Sequence, residues 1–376
     1  MSFIPYLFLA YAIVYISYQC VLLYRIRFHH KPPSFFARAQ RPVISILIAA
    51  RNEEKNILTC LQAVEKLSYP AENIEVWIGD DQSTDATHTI VAAFIHNKPN
   101  YHLVSIQPSA GHVKGKANVL AQLAKQARGA FLFITDADIQ VPTHWIEALF
   151  AGFEENTGIV SGSTIVAGDS LFARTQRIDW AYASGMIHVV SDMHIPVTAV
   201  GNNMAIQRLC YDDTGGYENL SFSVTEDLEL FLASLKKGWG FRNLLDAGST
   251  ATTAPLKTLK EALQQRKRWI SGAFRLPKIL VIFLVLQAMF FPMLVLAFIF
   301  IHWIWIVVIW LIIFNLHMSF IDQVACKMGI NSLRRNSILF ELNRYFFPLL
   351  LFMYRLLPLG VQWKGRTYKG KDIQPK

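Results

Sequence analysis

Two uncharged apolar runs, Phe3–Tyr24 and Ile279–Ile321, bracket a long segment in which short apolar stretches alternate with amphipathic ones. Val43–Ala50 is a continuous apolar run of strand length, as expected for a strand buried on both faces of a parallel sheet. Asn52–Lys66 follows with apolar residues at Ile57, Leu61 and Val64, a helical spacing. Ile74–Gly79 then reads as a strand ending in Asp80-Asp81, Thr84–Phe94 as a helix and Tyr101–Ile106 as a strand. Lys116–Ala127 reads as a helix, and Phe131–Thr135 as a strand ending at Asp136. This alternation predicts right-handed crossovers and a mostly parallel α/β sheet. Acidic residues follow the second and fourth strands, on the carboxyl edge where open α/β sheets bind ligands.

The apolar runs predict membrane helices. Phe3–Tyr24 has about the 20 residues that a span requires. No basic residue precedes it, Gln19-Cys20-Val21-Leu22 lacks a small-residue cleavage site, and Ser17-Tyr18-Gln19 is a poor lipobox, so an uncleaved anchor is expected. At ~1.5 Å per residue, Ile279–Ile321 overruns a ~30 Å hydrocarbon core and reads as a hairpin turning near His302 or Trp303. A third candidate, Ser337–Val361, is interrupted by Glu341, Arg344, Arg355 and two prolines; it spans, re-enters or lies flat.

Arg25, Arg27, His29, His30 and Lys31 follow the first run, and Arg266, Lys267, Arg268, Arg275 and Lys278 precede the second. Lys327, Arg334 and Arg335 follow it, and the tail carries Lys364, Arg366, Lys369 and Lys371. The positive-inside rule puts the N-terminus outside, the intervening segment in the cytosol and, by the basic tail, favours a re-entrant or interfacial last element. The expected organisation is a span over 1–25, a cytosolic α/β domain over 40–275, a transmembrane hairpin over 276–321, a further hydrophobic segment over 337–361 and a basic tail over 362–376. The chain would be a multi-pass integral membrane protein, in the cytoplasmic membrane if bacterial.

Composition agrees: 53% of the 376 residues are hydrophobic, too many for an ordinary soluble domain and too few for an all-membrane protein. The net charge of +9 is partly the flanking charge, which suits anionic headgroups rather than nucleic acid. Cys20, Cys60, Cys210 and Cys326 form no pair at metal-ligand spacing and read as free thiols. A transporter is poorly supported, because the hydrophobic segments lack buried charge and are too few.

Thr135-Asp136-Ala137-Asp138 places two carboxylates at i and i+2 after a buried strand. It is either a solvated turn or a site for one divalent cation whose remaining oxygen ligands come from a diphosphate. Asp80-Asp81-Gln82-Ser83-Thr84-Asp85 suits a helix cap, with Ser83 or Asp85 opening the next helix, and also a carboxylate that receives a uracil or guanine edge. Gly111-His112-Val113-Lys114-Gly115-Lys116 offers glycines and lysines to a phosphate without the Walker order. Thr225-Glu226-Asp227 reads as a cap, with Thr225 as the capping residue, or as the source of a general base. Gln265-Arg266-Lys267-Arg268-Trp269 reads as a juxtamembrane anchor or as an element closing the site.

The order of these motifs resembles family-2 glycosyltransferases of GT-A fold, of the membrane-embedded kind related to cellulose, chitin and hyaluronan synthases and to ceramide glucosyltransferase. The residues carrying it are Ile48–Glu54, Asp80–Asp85, Gly115-Lys116-Ala117-Asn118, Asp136-Ala137-Asp138, Gly201-Asn202-Asn203-Met204-Ala205, Thr225-Glu226-Asp227 and Gln265-x-x-Arg268-Trp269. The resemblance covers roughly residues 43 to 275. It implies that Ala50, Arg51, Glu53 and Asp81 cradle the nucleoside and that Lys116 approaches the nucleotide. Asp136 and Asp138 would hold the donor and its Mg²⁺ or Mn²⁺, with Asp138 as the direct ligand. Asp227 would be the base, beside Glu226, and Gln265, Arg268 and Trp269 would close the site over diphosphate and acceptor. Such enzymes invert the anomeric centre in one displacement.

Gln82 stands where glycine is usual, which predicts a less tight turn. The chain is shorter than typical polymer synthases, and Trp363-Lys364-Gly365-Arg366-x-Tyr368 resembles the endings of smaller lipid- or carotenoid-modifying relatives. The expected function is transfer of a hexose or N-acetylhexosamine from a UDP- or GDP-sugar to a lipid-embedded hydroxyl. A processive polysaccharide synthase and a catalytically silent membrane scaffold are the alternatives.

Overall fold

The computed structural model describes residues 3–30, 41–109, 113–273, 275–357, 359–363 and 366–368. Lys31, Gly111, His112, Lys364 and most of the tail, Lys369 and Lys371 included, lie outside the described residues.

A single long helix opens the chain (α1, Ile4–Phe28), and the α/β domain begins with β1 (Ile44–Ala50), α2 (Ile57–Glu65), β2 (Ile74–Asp80), α3 (Thr87–Ile95) and β3 (Tyr101–Ser105). It continues through α4 (Gly115–Gln126), β4 (Phe131–Asp136), β5 (Ile139–Gln140), α5 (Trp145–Phe150), β6 (Thr157–Ser161) and β7 (Ser163–Val166). Then come α6 (Leu171–Asp192), β8 (Asn203–Gln207), α7 (Arg208–Asp213), α8 (Glu226–Lys236), β9 (Gly240–Asn243), β10 (Thr250–Thr253) and α9 (Leu259–Ala273).

Seven strands form the main sheet in the order β3-β2-β1-β4-β8-β6-β9. Its pairs are parallel except at β8, which runs against both β4 and β6. A smaller sheet pairs β5, β10 and β7. The two-residue alternation of β1 explains the layering. Ile44, Ile46 and Ile48 share a core with Ile57, Cys60, Leu61 and Val64 of α2, whereas Leu47 faces the other core with Leu120 and Leu123 of α4. The expected α/β class with a mostly parallel sheet is what the chain forms.

After α9 the second apolar run forms α10 (Lys278–Ala288), α11 (Phe290–Phe300) and α12 (Trp303–Lys327). The chain turns at Ile301-His302, but the first arm of the expected hairpin is broken by a 48° bend between α10 and α11. Pro292 is the reason: it has no N–H to return to Ala288, so the helix cannot run through Met289. Among the described residues α1 and α12 are each long and apolar enough to cross a membrane, and the bent pair adds a third span if it counts as one.

The last helix, α13 (Ser337–Leu356), contains Pro348 and is followed by an antiparallel hairpin of β11 (Val361–Trp363) and β12 (Arg366–Tyr368). Contrary to the expectation that the hydrophobic segments lack buried charge, Glu341 of α13 is buried. It is bonded by His317 of α12 at 2.9 Å, Arg344 at 2.8 Å and Tyr345 at 2.6 Å. Such charge is tolerated in an apolar setting because it is paired. The domain docks on these helices through α6, whose Ile178, Ala181, Tyr182 and Val189 share a core with Leu22 and Ile26 of α1 and Phe320, Ile321 and Val324 of α12.

Candidate active site

The site lies along the carboxyl edge of β1, β2 and β4. At one end, the loops after β1 and β2 are laced together. The Asp81 N–H donates to the Ala50 carbonyl at 2.9 Å, and the Thr84 N–H to Asn52 Oδ1 at 2.8 Å. The Ser83 N–H donates to Asp80 Oδ1 at 3.1 Å, closing a tight turn. Gln82 there has φ +58°, so the turn keeps the left-handed geometry that glycine would favour, and the expected loosening does not occur. Asp85 accepts from the Thr87 N–H at 3.0 Å where α3 begins.

Asp81 is buried, and two guanidinium groups converge on it. Arg51 donates to its carbonyl and stands 3.9 Å from its Oδ2. Arg366, from β12, grips both carboxylate oxygens, at 2.6 and 3.1 Å. Glu53 is also buried, but its carboxylate accepts from Asn56 at 2.8 Å and its N–H donates to Thr87 Oγ1 at 2.7 Å, so it braces the loop entering α2.

At the other end, Lys116 in the first turn of α4 is buried and reaches three partners. Its Nζ lies 2.5 Å from Asp136 Oδ1 and 3.3 Å from Glu226 Oε1, and it donates to the Gly201 carbonyl at 3.0 Å. Burial works against the ammonium, but Asp136 and Glu226 outweigh it and hold its pKa above the ordinary lysine value. Burial likewise pushes the Glu226 carboxyl above the usual range, opposed by the Lys116 charge. Asp138 is pushed up to about 6, first by burial and then by the neighbouring Asp136 carboxylate, with Lys116 and Arg268 pulling the other way.

Asp227 follows Glu226 in the first turn of α8. Its Oδ2 accepts from the Gly201 N–H at 3.0 Å and its Oδ1 from the Leu228 N–H at 2.9 Å. A Cβ on Gly201 would stand 2.6 Å from the Asp227 Cβ, so only glycine admits this approach. The expected cap is not made: the Thr225 hydroxyl pairs with Ser223 Oγ at 3.0 Å and makes no capping bond.

The amphipathic helix α9 brings Gln265 and Arg268 onto the face that also carries Gly272. A Cβ on Gly272 would meet Leu228 at 2.8 Å and Thr225 at 3.1 Å, which fixes that face toward the start of α8. The charge of Arg268 acts on both Asp138 and Glu226. Trp269 instead packs edge-on to Trp180 of α6 at 5.3 Å, with the Arg266 guanidinium 4.7 Å from its ring.

Sequence-predicted residues therefore gather in two groups. Ala50, Arg51 and Asp81 stand together at one end with Glu53 in the bracing loop; Lys116, Asp136, Asp138, Glu226, Asp227 and Arg268 gather at the other. Arg366 was named only within the ending Trp363–Tyr368 and as tail charge, and Gly201 only within a motif. A guanidinium 285 positions from its carboxylate leaves no local signal.

The hard carboxylate oxygens of Asp136 and Asp138, two residues apart at the end of β4, suit Mg²⁺ or Mn²⁺. Among the described residues no three His, Cys, Asp or Glu side chains converge as a complete cation site, so two protein ligands fit an ion completed by a diphosphate.

Residues 4–373 match the family model described as Glycosyl transferase family 21. The chain is 25% identical over 270 residues to the beta-monoglucosyldiacylglycerol synthase of Synechocystis sp., covering 69% of this chain and 54% of that protein. It is 30% identical over 241 residues to the probable glycosyltransferase YdaM of Bacillus subtilis, covering 61% of this chain and 55% of that one. The chain thus spans about half the length of these curated relatives. Among solved structures, the mannosyltransferase PcManGT from Pyrobaculum calidifontis, in complex with GDP-Man and Mn²⁺, superposes with a TM-score of 0.57. It covers 94% of this chain and 100% of that chain at 17% identity, a likeness of fold.

Proposed function

The chain belongs to glycosyl transferase family 21, and from that premise we propose that it moves a hexose from a nucleoside diphosphate donor to a lipid-borne hydroxyl, with inversion. The observation that carries this reading is the linked set Asp136–Lys116–Glu226, with Asp227 next in the chain and fixed by Gly201. It would put the candidate metal ligand Asp136 and the candidate base Asp227 on one cleft edge.

Asp81, Arg51 and the Ala50 backbone would take the nucleoside. Asp136 and Asp138 would hold Mg²⁺ or Mn²⁺, which, when bound, neutralises charge on the leaving diphosphate. Asp227 accepts the proton of the acceptor hydroxyl as that oxygen bonds to the anomeric carbon. The bond from that carbon to the diphosphate oxygen breaks on the opposite face, and the nucleoside diphosphate leaves with the electron pair. Both Asp227 oxygens receive backbone N–H bonds, which aim the carboxylate. Glu226 holds Lys116 rather than reacting, and Arg268 adds positive charge beside the diphosphate. Trp269, packed on Trp180, would face the acceptor.

The relatives' printed name supports a diacylglycerol-type acceptor, which would reach the cleft from the bilayer past α6 and α9. The basic flanks of α1, α10 and α12 support a multi-pass arrangement with the α/β domain in the cytosol.

The test is nucleotide release by the detergent-purified chain, given UDP- and GDP-hexoses, diacylglycerol-containing micelles and Mn²⁺. Release that needs the metal and the lipid is expected, and Asp227→Asn should lower it by about 10²–10⁴-fold while nucleotide binding persists. Full turnover in the variant would sink the assignment of Asp227, and release without any lipid would sink the acceptor class.

A further inference from the structure

The reading of the cleft as a donor site leaves one group without a role: Arg366, the guanidinium that the β11–β12 hairpin lays on Asp81. We propose that Arg366 is a base-reading residue, forming with Asp81 the combined donor and acceptor edge that selects a uracil nucleotide over a guanine nucleotide. This rests on the assignment of Asp81 to the nucleoside end.

The hairpin does not hang free. Gln264 and Lys267, one helical turn apart on α9, hold the segment leading into it. Lys267 donates to the Leu359 carbonyl at 2.8 Å, and Gln264 to the Tyr354 hydroxyl at 2.6 Å and the Gly360 carbonyl at 3.5 Å. The helix that brings Arg268 to the carboxylates at one end of the cleft therefore also tethers the strand that brings Arg366 to Asp81 at the other. That tether makes the β11–β12 hairpin part of the proposed binding cleft.

The hydrogen-bond chemistry decides which base suits the pair. A guanidinium has five N–H donors, and the fork to Asp81 uses two. Uracil offers one N–H, at N3, between two carbonyls. It can take one oxygen of Asp81 while Arg366 keeps the other and donates to the adjoining carbonyl. Guanine presents N1–H and the 2-amino group side by side, which engage both oxygens of a carboxylate at once. To bind, it must evict Arg366 and break both bonds of the fork to Asp81. Asp81 is buried and the Arg366 side chain is 31% exposed, so the evicted guanidinium regains water, and the discrimination comes from the bidentate pair that guanine breaks and uracil keeps in part.

Titration of the full-length detergent-purified protein with UDP and with GDP, in Mn²⁺, tests this by binding alone. Wild type is expected to prefer UDP. Arg366→Ala should weaken UDP about tenfold, the loss of one charge-assisted hydrogen bond, and weaken GDP little or tighten it, so that the preference collapses. Arg366→Lys, which keeps the charge but not the fork, should lose the preference too. A UDP:GDP ratio unchanged in Arg366→Ala, whatever the absolute affinities, overturns the proposal, as does full preference in the lysine variant. Asp81→Asn separates this from the reading beneath it. If that variant binds UDP like wild type, the nucleoside end has been misplaced and both ideas fall; if it loses UDP while Arg366→Ala keeps the ratio, only the role of Arg366 falls. A cooperative melt well above the titration temperature in each nucleotide-free variant establishes that it is folded.

Discussion

Lys116 Nζ stands 2.5 Å from Asp136 Oδ1, so the lysine at the start of α4 is bonded to the aspartate that ends β4. The ammonium also reaches Glu226, a carboxylate that burial would otherwise penalise. Lys116→Met should therefore remove activity and destabilise the protein by about 3 kcal/mol, the scale for breaking a buried pair. Adding Glu226→Gln should recover part of the stability and none of the turnover. Thermal unfolding in detergent reads the first effect and nucleotide release the second; a single mutant as stable as wild type would show that the cluster is solvated and not structural.

Asp138 gives a pH prediction. Its carboxyl titrates at about 6 against an ordinary value of 3.8, because burial and Asp136 oppose ionisation. The folded-state value is raised, so the sign is unfavourable to the ionised form: the folded protein has its full relative stability below pH 3.8 and loses part of it as the pH rises through 6. Roughly two pKa units correspond to about 3 kcal/mol at most. In chelator at pH 8, Asp138→Asn should raise the melting temperature, and the gain should shrink toward pH 5. Mn²⁺ should stabilise wild type and not the variant. A melting temperature that Asp138→Asn leaves unmoved at pH 8 would contradict the burial argument.

The sheet and the cleft edge were legible because they are locally encoded. Apolar runs such as Val43–Ala50 and Phe131–Thr135 fix strands by period and length, and their carboxyl ends place Asp81, Asp136 and Asp138 without further information. What escaped depends on partners far along the chain. The antiparallel insertion of β8 between β4 and β6 is a pairing choice, and a five-residue strand looks the same in either direction. The docking of α6 on α1 and α12 joins segments more than a hundred residues apart. The break at Met289 was readable in principle from Pro292, but uniform hydrophobicity hides a bend. Arg366 was visible as tail charge; its role is created only when α9 tethers the hairpin over Asp81.

Gln82 tests how much a left-handed residue costs at this turn. Its φ of +58° is sterically disfavoured for a side chain with a Cβ, by about 1 kcal/mol. Gln82→Gly should stabilise by up to about that amount, less the extra unfolded-state entropy of glycine. Gln82→Val should destabilise, because branching at Cβ adds strain in this region. Nucleotide affinity should stay within about twofold in the glycine variant, since the Ser83–Asp80 bond uses backbone and an aspartate only. A glycine variant less stable than wild type would mean that the Gln82 side chain makes a compensating contact.

Glu341 offers a prediction about the helices. It receives His317, Arg344 and Tyr345, Arg344 also donates to Tyr15 at 3.0 Å, and Trp310 bonds Tyr345 at 2.5 Å. One carboxylate thus joins α1, α12 and α13 through a closed polar cluster among apolar side chains. Glu341→Ala would leave the Arg344 charge without its carboxylate where water cannot replace it, at a cost of about 3–5 kcal/mol. Glu341→Gln keeps the shape and two acceptor lone pairs and should cost less. Because α13 leads into the hairpin that carries Arg366, the alanine variant should also weaken UDP binding, although the substitution lies far from the cleft. Size-exclusion profiles and melting curves in detergent read the stability, and nucleotide titration at a temperature where the variant is folded reads the coupling. An alanine variant that melts with wild type would show that the cluster is dispensable. One that melts early yet binds UDP normally would show that α13 does not set the position of the hairpin.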